Sequence, residues 1–193
     1  MRKPIDHLSL HAYPGMVALV TSKYKDTHNI MAAGWHTVIG YAPPIYGVSL
    51  RKETYSYDLI MKSGAFGINF VPANLAKLIQ TVGTRSGRDI DKFAEYNIEY
   101  DNGMKLNVPI LKEAYFAYEC KVIETRTYGS HDFVTGEIHT IYQDEEKFLQ
   151  KDSAENMLPD LTQLEIPLYL GRSLYATLNS DVEQKEYPLY LSK

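Results

Sequence analysis

Residues 115–143 read YFAYECKVIETRTYGSHDFVTGEIHTIYQ, two alternating runs joined by a short turn. In the first, Tyr115 to Tyr128, successive side chains of an extended chain point to opposite sides, so Phe116, Tyr118, Cys120 and Val122 share one face and Glu119 and Lys121 the other. Gly129–Asp132 is a tight turn, and Phe133–Gln143 supplies a second long strand. The stretch therefore predicts an antiparallel hairpin.

The N-terminal half repeats this theme in shorter pieces. Met16–Thr21 is followed by the polar turn KYKDTHN and a second extended run from Ile30, which predicts another hairpin. Pro43 and Pro44 forbid a helix and break the sheet ladder, after which Ile45–Leu50 resumes a strand pattern. Thr54 can cap a helix through Tyr55, Leu59 and Ile60, with Lys62 in its last turn and Gly64 as its stop. Ala65–Phe70 reads as a buried strand. Leu75, Leu78, Ile79 and Val82 then recur at helical spacing, and residues 95–114 look irregular around an Asn102-Gly103 turn. Residues 144–163 read as a polar excursion before the aromatic tail IPLYLGRSLYATL. Many short strands, few helices and no βα alternation predict a small antiparallel β-barrel with peripheral helices.

A chain of 193 residues fits a single domain, 1–193, and its 45% hydrophobic and 23% charged residues indicate neither disorder nor a membrane protein. A formal net charge of −4 gives no general attraction to nucleic acid or to anionic membranes, so any anion site has to be local. Cys120 is the only cysteine, which excludes an internal disulfide and multi-cysteine metal sites and suits a reducing cytoplasm. The apolar run Met16–Val20 is too short for a signal peptide or a spanning helix. Sixteen tyrosines suit half-buried strands, ligand pockets and subunit interfaces.

Residues 83–93, GTRSGRDIDKF, set Arg85, Arg88 and Lys92 around Ser86 and Gly87. Cations, a hydroxyl and backbone N–H groups at a glycine turn are what a phosphate requires, and a solvated basic loop is the alternative. Ser49, Leu50, Arg51 and Lys52 precede the Thr54 cap, so a cation and helix-start amides converge there too. Trp35 ends NIMAAGW, whose small residues would admit a planar ring, or simply a packed core. Walker, G-x-G-x-x-G and G-x-S-x-G motifs are missing. Ser130, His131 and Asp132 are consecutive and cannot align as a triad. His7 and His11 read as a loop pair, and Cys120 as a buried structural thiol.

Taken in order, NIMAAGW, APPIYGVSLRKETYSY, SGAFGINFVP, GTRSGRDIDKF and SHDFVTGEI resemble the flavin reductase-like, FMN-binding split-barrel family, with flavoredoxins its nearest branch, over roughly residues 12–143. The resemblance implies a six-stranded antiparallel split barrel that binds FMN, uses NADH or NADPH as electron donor, and works as a homodimer. A non-enzymatic electron carrier serving a redox protein partner is the alternative it leaves open, and a β-barrel module without flavin is the reading outside the family. The resemblance further implies that Asn29, Met31 and Trp35 border the flavin ring, that Ser49, Leu50 and Arg51 touch the flavin, and that Tyr55 lies near the phosphate or ribityl end. Ser86, Arg88 and Lys92 match the anion-binding string, and His131 matches the turn histidine near the flavin, the one candidate catalytic residue.

Overall fold

A computed structural model describes residues 2–7, 9, 11–149 and 158–185. The first hairpin pairs β1, Ala18–Tyr24, with β2, Thr27–Ala33, and turns on Lys25 and Asp26. The polar segment expected as a long turn is thus mostly strand. A second hairpin joins β3, His36–Tyr41, to β4, Pro44–Leu50, with Tyr41 opposite Pro44. The two prolines stand at the bend and strand start, where a missing N–H costs the ladder little.

Helix α1, Tyr55–Ser63, begins at Thr54, whose hydroxyl accepts from the Tyr57 N–H, and ends at Gly64 in the left-handed region, φ 70°. After β5, Ala65–Phe70, a 3-10 turn leads into α2, Ala76–Thr84, and a loop into α3, Lys92–Glu95. The region expected to be irregular holds a small ladder of β6, Tyr100–Asn102, and β7, Pro109–Leu111. Strands of three residues are too short to show a period. The long hairpin is β8, Phe116–Tyr128, and β9, His131–Gln143, and the tail forms β10, Ile166–Gly171, and β11, Leu174–Leu178.

The main sheet is antiparallel throughout, in the order β2-β1-β5-β8-β9-β4-β3. Its outermost strands, β2 and β3, are separated along the chain only by Gly34 and Trp35. The sheet must therefore curl until its two edges approach, which gives a barrel split at that dipeptide. Register shifts at Glu119/Cys120 and Val122/Glu124 assist the curl, since bulges bend the strand that carries them. The split barrel with peripheral helices is as expected, but its sheet has seven strands instead of six, because the extended run expected from Ile30 divides at Gly34 and Trp35 into β2 and β3.

Strand β1 is buried on both sides. Ala18 and Val20 join the barrel interior with Val48, Ile60, Phe66, Ile68 and Cys120, while Leu19 packs with Ile30, Ile79, Val82 and Phe93 under α2 and α3. Two-sided burial explains why this strand reads as a continuous apolar run. Glu119, on the face opposite Cys120, is buried as well. Burial raises its pKa, but bonds from the Tyr142 hydroxyl and the Leu106 and Lys105 N–H groups outweigh that and hold it below the usual range.

Candidate functional site

The loop between α2 and α3 lies across from the first turn of α1. Helix geometry leaves the Tyr55 and Ser56 N–H groups without intrahelical acceptors, so this end of α1 presents donors and a positive dipole end. Ser56 is buried and takes a hydrogen bond from the Asn29 side-chain amide at 2.9 Å, which ties β2 to α1. Gly87 closes the approach: a Cβ there would stand 2.1 Å from Asn29 Oδ1 and 2.9 Å from Tyr55 Cδ1. The resulting cavity, about 240 Å³, is lined by Asn29, Met31, Thr54, Tyr55, Ser56, Thr84, Arg85, Ser86, Gly87 and Lys92 among others.

Lys92 is its buried cation, 3% exposed. Its ammonium donates to the carbonyls of Val82 at 2.6 Å and Ile30 at 2.9 Å, and three N–H donors leave one for the cavity. Burial brings its pKa down to about 8. Arg88 stands elsewhere: it pairs with Asp58, lies 5.0 Å above the Tyr55 ring, and lines an adjoining cavity with Asp89 and Asp91. The cation that the fold brings to the first cavity beside Lys92 is Arg85.

A second cavity, about 260 Å³, shares Met31, Ala32 and Thr54 with the first and continues the trough toward the split in the barrel. Trp35, Ser49, Leu50, Arg51 and His131 line it. The Trp35 and His131 rings are 5.0 Å apart, and the Ser49 N–H donates to the Trp35 carbonyl at 2.9 Å, which fixes the tryptophan against β4. His131 sits at the tip of the β8–β9 hairpin, held by its neighbour Asp132. That buried carboxylate accepts from Tyr57 of α1 and from Thr127, and pairs with Lys52 at 3.3 Å. The Tyr57 bond, followed by those from Thr127 and Lys52, holds Asp132 below the usual carboxylate range; the same bond pushes Tyr57 up to about 12.

Ten of the eleven residues expected to touch the cofactor therefore line one continuous trough, and Arg88 lies beside it. Sequence reasoning missed Thr84 and Ser56 as lining residues, and it counted Arg85 among the cations of a phosphate seat without matching it to the family's anion-binding string. Arg85 sits inside the quoted cationic string, so its signal was present, whereas the Asn29–Ser56 contact carries no local trace. One end of the trough offers cations, hydroxyls and helix-start amides; the other offers aromatic rings and strand backbone. Such a trough suits a ligand with a phosphate at one end and a flat ring at the other. Cys120 is buried, and burial pushes its thiol pKa up, as an inert structural thiol requires.

A split barrel with this two-ended trough is a fold and site of the flavin-protein class. The chain belongs to the flavin reductase like domain family, which it matches over residues 10–178. It is similar to the flavoredoxin of Desulfovibrio vulgaris (Miyazaki F), 29% identical with a TM-score of 0.82, the match covering 100% of this chain and 99% of that one. It is similar to an FMN-binding protein from Thermus thermophilus, 28% identical with a TM-score of 0.82, over 96% of this chain and 100% of that one. An uncharacterized protein of Pyrococcus abyssi is 32% identical over 136 residues, 70% of this chain and 78% of that protein.

Proposed function

We propose that this chain is an NAD(P)H-dependent flavin reductase that passes electrons through bound FMN. The observation that carries the reading is the convergence of four separate sequence segments, within 29–35, 49–56, 82–92 and at 131, on one trough with a cationic end and an aromatic end. FMN fits the donor set: Lys92, Arg85, Ser86 and the first turn of α1 hold the phosphate, and Gly87, with no Cβ, lets the loop pack directly on Asn29 and Tyr55. Arg88 closes the rim from its pairing with Asp58. Asn29, Met31, Trp35, Ser49, Leu50 and Arg51 orient the ring, Tyr55 stands at the ribityl end, and His131 covers the ring from the hairpin tip. When bound, FMN supplies the two-electron chemistry, and the protein supplies position, electrostatics and access. An acid–base pair is not required of such a site.

The whole chain, 1–193, acts in this reading as one flavin-binding domain in the cytoplasm, paired as a homodimer. A second reading, a non-enzymatic FMN carrier serving a redox protein, is favoured by the full-length similarity to a flavoredoxin and by the exposure of Trp35, 40%, at the ring end. An absorption spectrum of the purified protein, followed by titration with NADH and NADPH without oxygen, separates the two. Bleaching of the flavin band by a nicotinamide supports the reductase. A flavin that only dithionite bleaches identifies the carrier, and a protein that takes up no flavin rejects both.

A further inference from the structure

Beside the trough, on the far side of Ala32 and Gly34, is a third cavity of about 180 Å³. It shares Tyr13, Ala32 and Gly34 with the ring end and Gly83 and Thr84 with the phosphate end. The tail hairpin completes it. Strand β10 pairs Tyr169 with Gly15 through reciprocal backbone bonds of 2.8 and 3.2 Å, which sets the Tyr169 ring edge-on to Tyr13 at 4.9 Å and 84°. Tyr175, opposite Tyr169 in the hairpin, stands 5.1 Å from it. Three tyrosine rings thus wall a small chamber.

Its polar groups, from Tyr13, Gln80, Thr84, Tyr169 and Tyr175, are uncharged. The Gln80 side-chain oxygen accepts from the Tyr175 hydroxyl at 3.4 Å; among the described residues its amide nitrogen and the Tyr13 hydroxyl have no protein partner. Among the described residues no charged side chain lines the chamber, and burial raises the Tyr175 pKa, which keeps that phenol neutral. A cavity of about 150 Å³ holds one benzene ring. Aromatic walls favour a planar guest, and unpaired donors favour one that carries an oxygen acceptor. An ionic guest would meet no counter-charge there.

We infer that this chamber is a second binding site, for a neutral, single-ring aromatic compound with a carbonyl oxygen, held beside the flavin trough. That it adjoins a flavin rests on the flavin reading above; its binding does not.

The test is calorimetric titration of the flavin-free chain and of the FMN-loaded chain with 4-methoxybenzaldehyde, and with 4-methoxybenzoate as the anion of nearly the same shape. The aldehyde is expected to bind both forms, and the benzoate at least tenfold more weakly. Tyr175→Leu is expected to weaken the aldehyde tenfold or more and Gln80→Leu several-fold, with FMN affinity unchanged in both. Should Tyr175→Leu fail to fold, Gln80→Leu on the helix face decides alone. No aldehyde binding, equal binding of the benzoate, or full affinity in Gln80→Leu overturns the inference. Failure of FMN to bind, with the aldehyde still bound, would instead overturn the flavin reading.

Discussion

Lys92 combines two tasks that pull against each other. Its ammonium satisfies the Ile30 and Val82 carbonyls and presents a charge to the trough, while its burial disfavours that charge. In Lys92→Met, loss of a charge-assisted contact should weaken FMN by about 1.5–3 kcal/mol, roughly ten- to a hundredfold, as an equilibrium titration would read. Chemical denaturation should also show a loss of about 1–3 kcal/mol, because two buried carbonyls lose their donor. The pH dependence has a definite sign. A phosphate favours the charged amine, so FMN affinity should be fully developed below pH 8 and decline above it, where the free protein releases the proton, while riboflavin affinity stays flat. The flavin-free protein should gain stability between its folded value of about 8 and its ordinary value of 10.5, where the unfolded chain binds the proton that the folded chain has lost. Gly87 admits a further test: Gly87→Ala drives a methyl into Asn29 and Tyr55, so it should weaken FMN at least tenfold and also lower the melting temperature, because the buried Asn29–Ser56 bond must give way. Trp35, the sole tryptophan, should lose its emission when FMN binds, and full fluorescence in the flavin-saturated protein would place it away from the ring.

Two elements hold the ends of the trough in register. Helix α1 offers its N-terminus to one end and, through Tyr57, grips Asp132 beside the turn of the hairpin that carries His131 to the other. Asp132→Asn should therefore lower the melting temperature and loosen the His131 tip, read as weaker quenching of Trp35 by FMN. Because its carboxyl is held below the usual range, the contribution of Asp132 is present above about pH 4 and is lost as pH falls through its lowered folded value. These elements were legible because their causes are local. Thr54 and Gly64 mark α1, Leu75 to Val82 mark α2, and the alternation from Tyr115 to Gln143 marks the long hairpin. What stayed hidden depends on partners far along the chain. Glu119 is buried because Lys105, Leu106 and Tyr142 meet it, and Arg88 turns from the trough because Asp58, thirty positions earlier, claims it. The role of Lys92 as a ligand of two backbone carbonyls had no signal beyond its charge.

At the scale of the molecule, the tail argues differently from what its composition suggests. Tyr169 and Tyr175 are partly buried on their own barrel against Tyr13 and α2, so their rings alone do not call for a second chain. The exposed apolar surface that favours pairing is instead the edge strand β3, where Val38, Ile39 and Tyr41 are 56%, 47% and 87% exposed. Light scattering at micromolar concentration should return twice the 22.0 kDa chain mass, and Val38→Lys together with Tyr41→Lys should return the single mass. The central claim, a flavin nucleotide seated by its phosphate between α1 and the loop at residues 83–87, is tested most directly by titrating the flavin-free protein with FMN and with riboflavin. The account predicts one FMN per chain, bound ten- to a hundredfold more tightly than riboflavin. Equal affinity for the two, or no uptake of FMN, would contradict it.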